Sequence, residues 1–479
     1  MVKTKGSLTM KKIQELFQGI DEFNLKRYEL GEGAQSVYLL YCEGMIHSLQ
    51  INETVLPMLE RLLTGTEGVD KLDVRMNVSK LSEEELVLEV FSGQLVLYFE
   101  DQGHLYGMDL SNIPQRQPEE SSTESAVKGP RDSFVEDVTV NIALIRKRLR
   151  TNSLRCERFL IGKRSQTSVA LLYIQDIANP KIIEEARTRL NNIDVDMLMG
   201  SSPLEEMIAD KSYSLFPLVS YTTRPDFAMD CLIRGRFVVI ADGAPTAVIA
   251  PGNLFFMLRS AEDAYFPYLP ASFGILFRYL GLVISVLLPG FYIAVTSFNV
   301  EQLPYPLLAT IAMSRLGLPF PGPLEAFLMV GMFEVFREAG ERLPKAVGST
   351  VSVVGGIVVG EAAISAGLAS STLIVVAAIT GVANFTLVNQ TLVLAVSITR
   401  FLVMICASFL GMYGFILSLM GLLLYLASLS SFGLPYLAPL SPLTWRDLAL
   451  VFTRLPWVKK NTRPHMLNTV DNSRQKRRS

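Results

Sequence analysis

The chain has 479 residues, 49% of them hydrophobic, with 44 basic against 46 acidic side chains and a formal net charge of −2. That length predicts two or three domains, and a balance so near zero gives no basis for a nucleic-acid partner. The four cysteines (Cys42, Cys156, Cys231 and Cys406) lie far apart and the three histidines fall in no ligand motif, so no metal site, cofactor or disulfide scaffold is expected.

Charge divides the chain. Residues before about Ala264 are rich in Glu, Lys, Arg and Asp, and residues after it are poor in charge until the tail. The start, MVKTKGSLTMKKIQELFQGI, is basic but lacks a continuous apolar core, so it is not read as a signal peptide. The first domain is therefore expected on the cytoplasmic side.

Two stretches of the soluble part look alike. Ser36–Met45 (SVYLLYCEGM) and Ser168–Ile177 (SVALLYIQDI) are apolar strands ending in small or acidic residues. Each is followed by a helical pattern, Glu53–Leu62 and Lys181–Leu190. Gly93–Asp101 (GQLVLYFED) and Gly235–Asp242 (GRFVVIAD) then read as strands opening hairpins. The recurrence in one order predicts a duplicated α/β unit. Between the copies, Pro114–Gly129 has the composition of a solvated linker. Asp132–Arg150 reads as a helix, with Val135, Val138, Ile142, Ile145 and Leu149 on one face. Its basic end, Arg146–Arg150, suits a helix C-terminus better than a phosphate or lipid site.

From about Phe273 onward the pattern is that of a membrane. Four firm spans are predicted: Phe273–Phe298, Ala346–Leu368, Ser371–Val388 and Phe401–Ser430, the last free of charge. A crossing needs roughly 20 apolar residues. Pro289-Gly290 in the first span frees backbone groups that must face protein, and Arg278 is expected to snorkel toward the interface. Between the first two spans, Leu324–Leu343 reads as an amphipathic helix with Glu334, Arg337, Glu338 and Glu341 on one face. The second span is dense in small residues, among them Gly355, Gly356, Gly360 and Gly367, which predicts close helix packing. The basic tail, Lys459 to Arg478, places the C-terminus in the cytoplasm. Both ends inside requires an even number of crossings: four, or six if Leu303–Leu343 forms a re-entrant pair.

Several runs resemble a known family. They are Lys128–Arg150 (KGPRDSFVEDVTVNIALIRKRLR), Gly162–Pro180 (GKRSQTSVALLYIQDIANP), Thr222–Asp226 (TTRPD), Pro319–Met329 (PFPGPLEAFLM), Arg337–Leu368 and Ser431–Pro442 (SFGLPYLAPLSP). In order, they look like the A subunit of GerA-type spore germinant receptors. Within that family Val382–Gln390 (VANFTLVNQ) and the amino-terminal pattern look most like the stage V sporulation AF branch. The resemblance implies a protein of the spore inner membrane that acts with a B-type multi-spanning subunit. It also implies a homo-oligomeric ring, taken as a pentamer, that passes ions during germination; the AF branch looks like an ion-release component rather than a nutrient sensor. Glu361 departs from the family pattern, in which many A subunits have Gln.

The expected organisation is an α/β soluble region of two related subdomains followed by an all-α polytopic transmembrane domain. Its boundaries are 1–113, a linker 114–129, 130–264, 265–443 and a basic cytoplasmic tail 444–479. No GxSxG, P-loop or HExxH motif is present, so no enzyme is expected. A secondary transporter would show two related membrane halves, and the repeat lies instead in the soluble part. A non-conducting scaffold would need fewer spans. The candidate pore or intramembrane polar residues are Glu325, Glu334, Arg337 and Glu361, because a ring multiplies each carboxylate. Glu325 and Glu334 lie on opposite sides of an ideal helix, and one of them is expected to pair with Arg337 or Arg342.

Overall fold

The computed structural model describes residues 10–30, 35–63, 76–77, 82–99, 104–111, 128–342, 359–456, 458 and 460–474. The chain divides into an α/β unit and a helical unit. The main division falls near Pro251. Residues 213–218 belong with the helical unit, and residues 458–474 with the α/β unit.

The α/β unit holds two five-stranded antiparallel sheets. The first comprises β1 (Phe23–Leu30), β2 (Gln35–Cys42), β3 (Met76–Asn77), β4 (Gln94–Phe99) and β5 (His104–Asp109), in the order β1-β2-β4-β5-β3. The second comprises β6 (Leu154–Ile161), β7 (Thr167–Ile174), β8 (Ser220–Thr222), β9 (Phe237–Ala241) and β10 (Ala247–Ala250), in the order β6-β7-β9-β10-β8. The two orders coincide strand for strand. Each runs hairpin, helix, short strand, helix, hairpin. In the first the helices are α2 (Leu56–Leu63) and α3 (Glu83–Val90), which follow the short N-terminal α1 (Met10–Leu16). In the second they are α5 (Pro180–Asn191) with α6 (Ser201–Ile208), and α7 (Pro225–Ile233). The register agrees too: Val37 pairs with Phe99 in the first sheet, and Val169 with Ala241 in the second. The repeat read from sequence thus reappears as a shared topology.

Alternation along the strands builds the first core. Leu40, Cys42, Val96 and Tyr98 pack with Ile13, Phe17, Leu86 and Phe91 on one face. Val37, Leu39, Leu95 and Leu97 pack with Ile51, Val55 and Leu59 on the other. A one-residue slip would exchange the two sets.

The helix expected over 132–150 is shorter. It is α4 (Val138–Arg146), opened by Asp137, whose carboxylate accepts from the Thr139 and Val140 amides at 2.7 and 3.1 Å. Such a cap is worth about 1 kcal/mol and sets the start at 138. Val135 precedes the helix, and its amide donates to Asn141 Oδ1 at 2.8 Å. The basic run that follows is absorbed locally. Arg146 is fully buried, pairs with Glu22, donates to the Thr151 and Leu154 carbonyls and lies 4.3 Å from the Phe91 ring centroid. Arg148 pairs with Asp132, and Arg150 donates to Ser92. Of the linker expected at 114–129, only Lys128 and Gly129 are among the described residues.

The helical unit contains α8 (Tyr268–Ser297), α9 (Tyr305–Ser314), α10 (Gly322–Arg342), the helical residues 359–365, α11 (Ser371–Phe385), α12 (Gln390–Ala427) and α13 (Trp445–Phe452). Two of these, α8 with 30 residues and α12 with 38, are long and apolar enough to cross a membrane. The expected span Ser371–Val388 is a 15-residue helix, and most of the expected span Ala346–Leu368 lies outside the described residues. The span expected to start at Phe401 starts at Gln390, because Asn389 caps it by accepting from the Leu392 amide at 3.0 Å. Arg400 therefore lies inside the helix. At Gly411 the backbone turns non-helical (φ 59°, ψ −137°), so α12 is two helical segments in series.

Small residues set the packing of this unit. Its core combines Ala294, Ala326, Ala363, Ala369, Ala377 and Ala407 with Ile293, Met329, Val330, Leu373 and Met404. A Cβ at Gly281 would strike Thr386, and one at Gly290 would lie 2.7 Å from Val403 Cγ1. The buried Pro289 and Gly290 thus face α12, which meets the need for protein beside the freed backbone. The glycines expected to pack behave differently. A Cβ at Gly360 would meet Ile374 at 3.6 Å, an ordinary contact. A Cβ at Gly367 (φ +65°) would meet nothing within 4 Å among the described residues, and Gly367 follows the helical residues 359–365 as a stop. Gly355 and Gly356 lie outside the described residues. Arg278 does not reach out alone: its guanidinium donates to both Asp263 carboxylate oxygens, at 2.7 and 2.8 Å.

Candidate functional site

A cavity of about 510 Å³ opens in the helical unit between α10, residues 359–365, α11 and α12. Val330, Phe333, Ile364, Ile374 and Phe385 supply apolar wall, and four charged side chains share the space: Glu334, Arg337, Glu361 and Arg400. Three of the four expected polar residues therefore meet in one place.

Glu334 is the hub. Its Oε1 accepts from Arg337 Nη2 at 2.6 Å and Nε at 3.1 Å, one turn along the same helix. Its Oε2 accepts from Arg400 Nη2 at 2.7 Å, across to α12. Arg337 also reaches Glu341 at 2.5 Å. Arg400 is buried and donates to Ser397 Oγ at 3.0 Å. The expected partner Arg337 is thus correct for Glu334, whereas Arg342 pairs with Glu338 at 2.7 Å.

Glu361 differs. It is exposed on the cavity wall and makes no hydrogen bond or ion pair among the described residues. Two further polar atoms at the cavity are buried with no partner among the described residues: Asn384 Oδ1 and Arg400 Nε. Unpartnered polar atoms at depth are uncommon and costly, so the cavity carries unused hydrogen-bonding capacity.

Glu325 stands apart from this site. It is buried, and its Oε1 accepts from both the amide and the hydroxyl of Ser370 at 2.6 Å, with Arg315 3.8 Å from Oε2. Ser370 Oγ in turn accepts from the Leu373 amide at the start of α11. Glu325 thus braces a helix cap; it does not line the cavity.

Sequence reasoning missed Arg400, Asn384 and Ser397. Arg400 sat just outside a span read as starting at Phe401. Its signal was a lone cation between two apolar runs, Leu392–Ile398 and Phe401–Phe409, which in a membrane helix marks a paired group.

The profile of Bacillus/Clostridium GerA spore germination proteins matches residues 11–466. Spore germination protein XA of Bacillus anthracis is 41% identical over 449 residues, which cover 92% of this chain and 91% of that protein. Stage V sporulation protein AF of Bacillus subtilis (strain 168) is 32% identical over 454 residues, 92% of this chain and 90% of that one. Identity to the XA protein thus exceeds identity to the AF protein. Among solved structures, the crystal structure of the N-terminal domain of the A subunit of the Bacillus megaterium spore germinant receptor GerK3 matches with 23% identity, 52% of this chain, 97% of that chain and a TM-score of 0.35. A profile match across nearly the whole length decides the matter: the chain belongs to the GerA family of spore germination proteins.

Proposed function

We propose that this GerA-family chain is a multi-spanning subunit of the spore inner membrane that passes cations during germination. In this reading it forms a homo-oligomeric ring and works with a B-type multi-spanning partner, both ends face the cytoplasm, and no catalysis is involved. The membrane reading draws on the faces of α8 and α12. Only 28% of the apolar window of α8 is buried, and Phe273, Leu276, Leu280, Val283 and Phe291 are exposed along it. On α12 the exposed set includes Leu402, Phe409, Ile416 and Leu424. A soluble core helix would bury these, and a soluble monomer seldom exposes so large an apolar surface.

The observation that carries the ion reading is Glu361, a carboxylate exposed on the cavity that pairs with no group among the described residues, beside the paired Glu334, Arg337 and Arg400. Against lipid such a charge is costly; repeated around a ring it would favour cations. Reconstituted vesicles test it. The parent protein should pass cations, and Glu361→Gln, which keeps size but removes charge, should assemble normally with altered flux or selectivity. No flux from the parent would favour a scaffold, and flux that needs a counter-ion gradient would favour a transporter. A variant that conducts like the parent would remove Glu361 from the pathway.

A further inference from the structure

Three features of the helical unit fall at one level along α8. The Arg454 amide donates to Ser272 Oγ at 3.1 Å, and Tyr279 Oη donates to the Val451 carbonyl at 3.3 Å. The Tyr279 and Phe452 rings lie 4.8 Å apart, with the Phe255 ring 5.8 Å from Tyr279. These contacts hold α13 and the residues just after it against the first twelve residues of α8. At the same level Arg278 holds Asp263. Asp447 and Val451 of α13 turn inward and are buried. Outside, Trp445 is 75% exposed, and Leu440 and Leu443 are about half exposed. On the same stretch of α8, Phe273 and Phe277 pack together at 4.5 Å and are also exposed.

We propose that Leu440–Phe452 lies in the headgroup layer of the bilayer, with Trp445 as its anchor. The inference rests on the membrane reading and adds where the bilayer begins. Water is a poor neighbour for Leu440, Leu443, Trp445, Phe273 and Phe277 together. The hydrocarbon interior is a poor neighbour for Arg446, Arg454 and the Arg278–Asp263 pair at the same level. The interface accepts both, and it is where tryptophan and amphipathic helices concentrate. Length gives an independent check. The nineteen residues from Tyr279 to the end of α8 at Ser297 rise about 28 Å at 1.5 Å each, close to the roughly 30 Å hydrocarbon thickness. If Tyr279 marks the boundary, the rest of α8 fits the core.

Tryptophan quenching reads the depth. The sequence has two tryptophans, so full-length Trp457→Phe in phosphatidylcholine vesicles leaves Trp445 as the emitter. Lipid brominated near the headgroup end of its chains should remove most of this emission, and lipid brominated near the methyl end much less. The difference between the parent and Trp445→Phe gives the same quantity without touching Trp457. Equal or stronger quenching by the deep bromines would overturn the interfacial placement. So would no quenching, which would mean that water or a second protein covers the segment. A control keeps the two readings separate: Leu402→Trp with Trp445→Phe and Trp457→Phe should be quenched by the deep bromines. If the control is quenched and Trp445 is not, the membrane reading stands and the interfacial one falls; if neither is quenched, both fall.

Discussion

Glu325 and Glu334 sit nine positions apart on one helix and do different work. The first braces the Ser370 cap, and the second ties α10 to α12 through Arg400. The sequence showed that both could not face one pore but not which would turn away, because that depends on where α11 begins. Glu361 and Arg337 were legible as charges out of place in an apolar region. Asn384 was not, since a single neutral amide inside the predicted span Ser371–Val388 gives no sign that it faces a cavity. Arg400 supplies the test at this scale. Removing one partner of a buried ion pair typically costs about 3–5 kcal/mol. Glu334 keeps Arg337, so Arg400→Met should fall at the low end, about 3 kcal/mol, read as a lower melting temperature in detergent. Arg400→Lys should recover only part, because the amine cannot reproduce the fork that spans Glu334 and Ser397. Melting unchanged in Arg400→Met would show the pair to be energetically idle.

Elements were more legible than their ends. β2, β4, β7 and β9 and their repeat were visible because each is an apolar run beside a Gly or acidic turn, whereas β1 (FNLKRYEL) and β6 (LRCERFLI) carry charges along their length and were not read. The start of α4 was not, because a capping Asp137 outweighed the periodicity upstream of it. The interruption of α12 was also hidden, since FLGMYGF reads as unbroken helix. At Gly411 the positive φ favours glycine, and a Cβ would lie 2.7 Å from that of Phe298, while the Met412 amide donates to Asn299 Oδ1 at 3.4 Å. Gly411→Ala should therefore lose roughly 1–2 kcal/mol from backbone conformation alone, and more from the clash. Gly421→Ala, in the same helix with nothing within 4 Å among the described residues, should be neutral or stabilising by up to about 1 kcal/mol. Equal melting temperatures for the two variants would contradict the break.

The C-terminal segment adds a pH-dependent element. Residues 460–474 lie on the α/β unit: Arg463 donates to the Ile233 carbonyl at 2.9 Å, the Val470 amide to the Ile177 carbonyl at 3.0 Å, and Arg474 pairs with Asp230 at 3.2 Å. Burial alone would raise the Asp230 carboxyl, but Arg234 and Arg474, with Lys460, more than offset it and hold it well below the ordinary carboxylate range. A depressed acid stabilises the fold fully above its unfolded value of about 3.8 and loses that contribution as the pH falls below it. The segment should resist proteolysis at neutral pH and become cleavable below about pH 4. Asp230→Asn should make it cleavable already at pH 7. Cleavage independent of both pH and substitution would show that Arg474 and Asp230 do not hold it.

For the whole molecule, the proposed membrane topology makes a prediction about the two chain ends. On the positive-inside rule the basic residues Lys459, Lys460, Arg463, Arg474, Lys476, Arg477 and Arg478 argue for a cytoplasmic C-terminus, and an even number of crossings would bring the N-terminus to the same side. Length and composition alone mark two crossing helices among the described residues, and two is already an even number. Further crossings change the topology at the ends only if they are odd in number. Cysteine labelling decides it with little background. Cys42, Cys156 and Cys231 are buried, and burial also raises the Cys42 and Cys156 thiols, which suppresses the reactive thiolate. Cysteines placed at Thr4 and Ser473 should resist an impermeant thiol reagent in intact cells and react once the membrane is opened. Labelling of both from outside would invert the orientation and keep the even count. Labelling of one alone would require an odd count and would overturn the even-span topology.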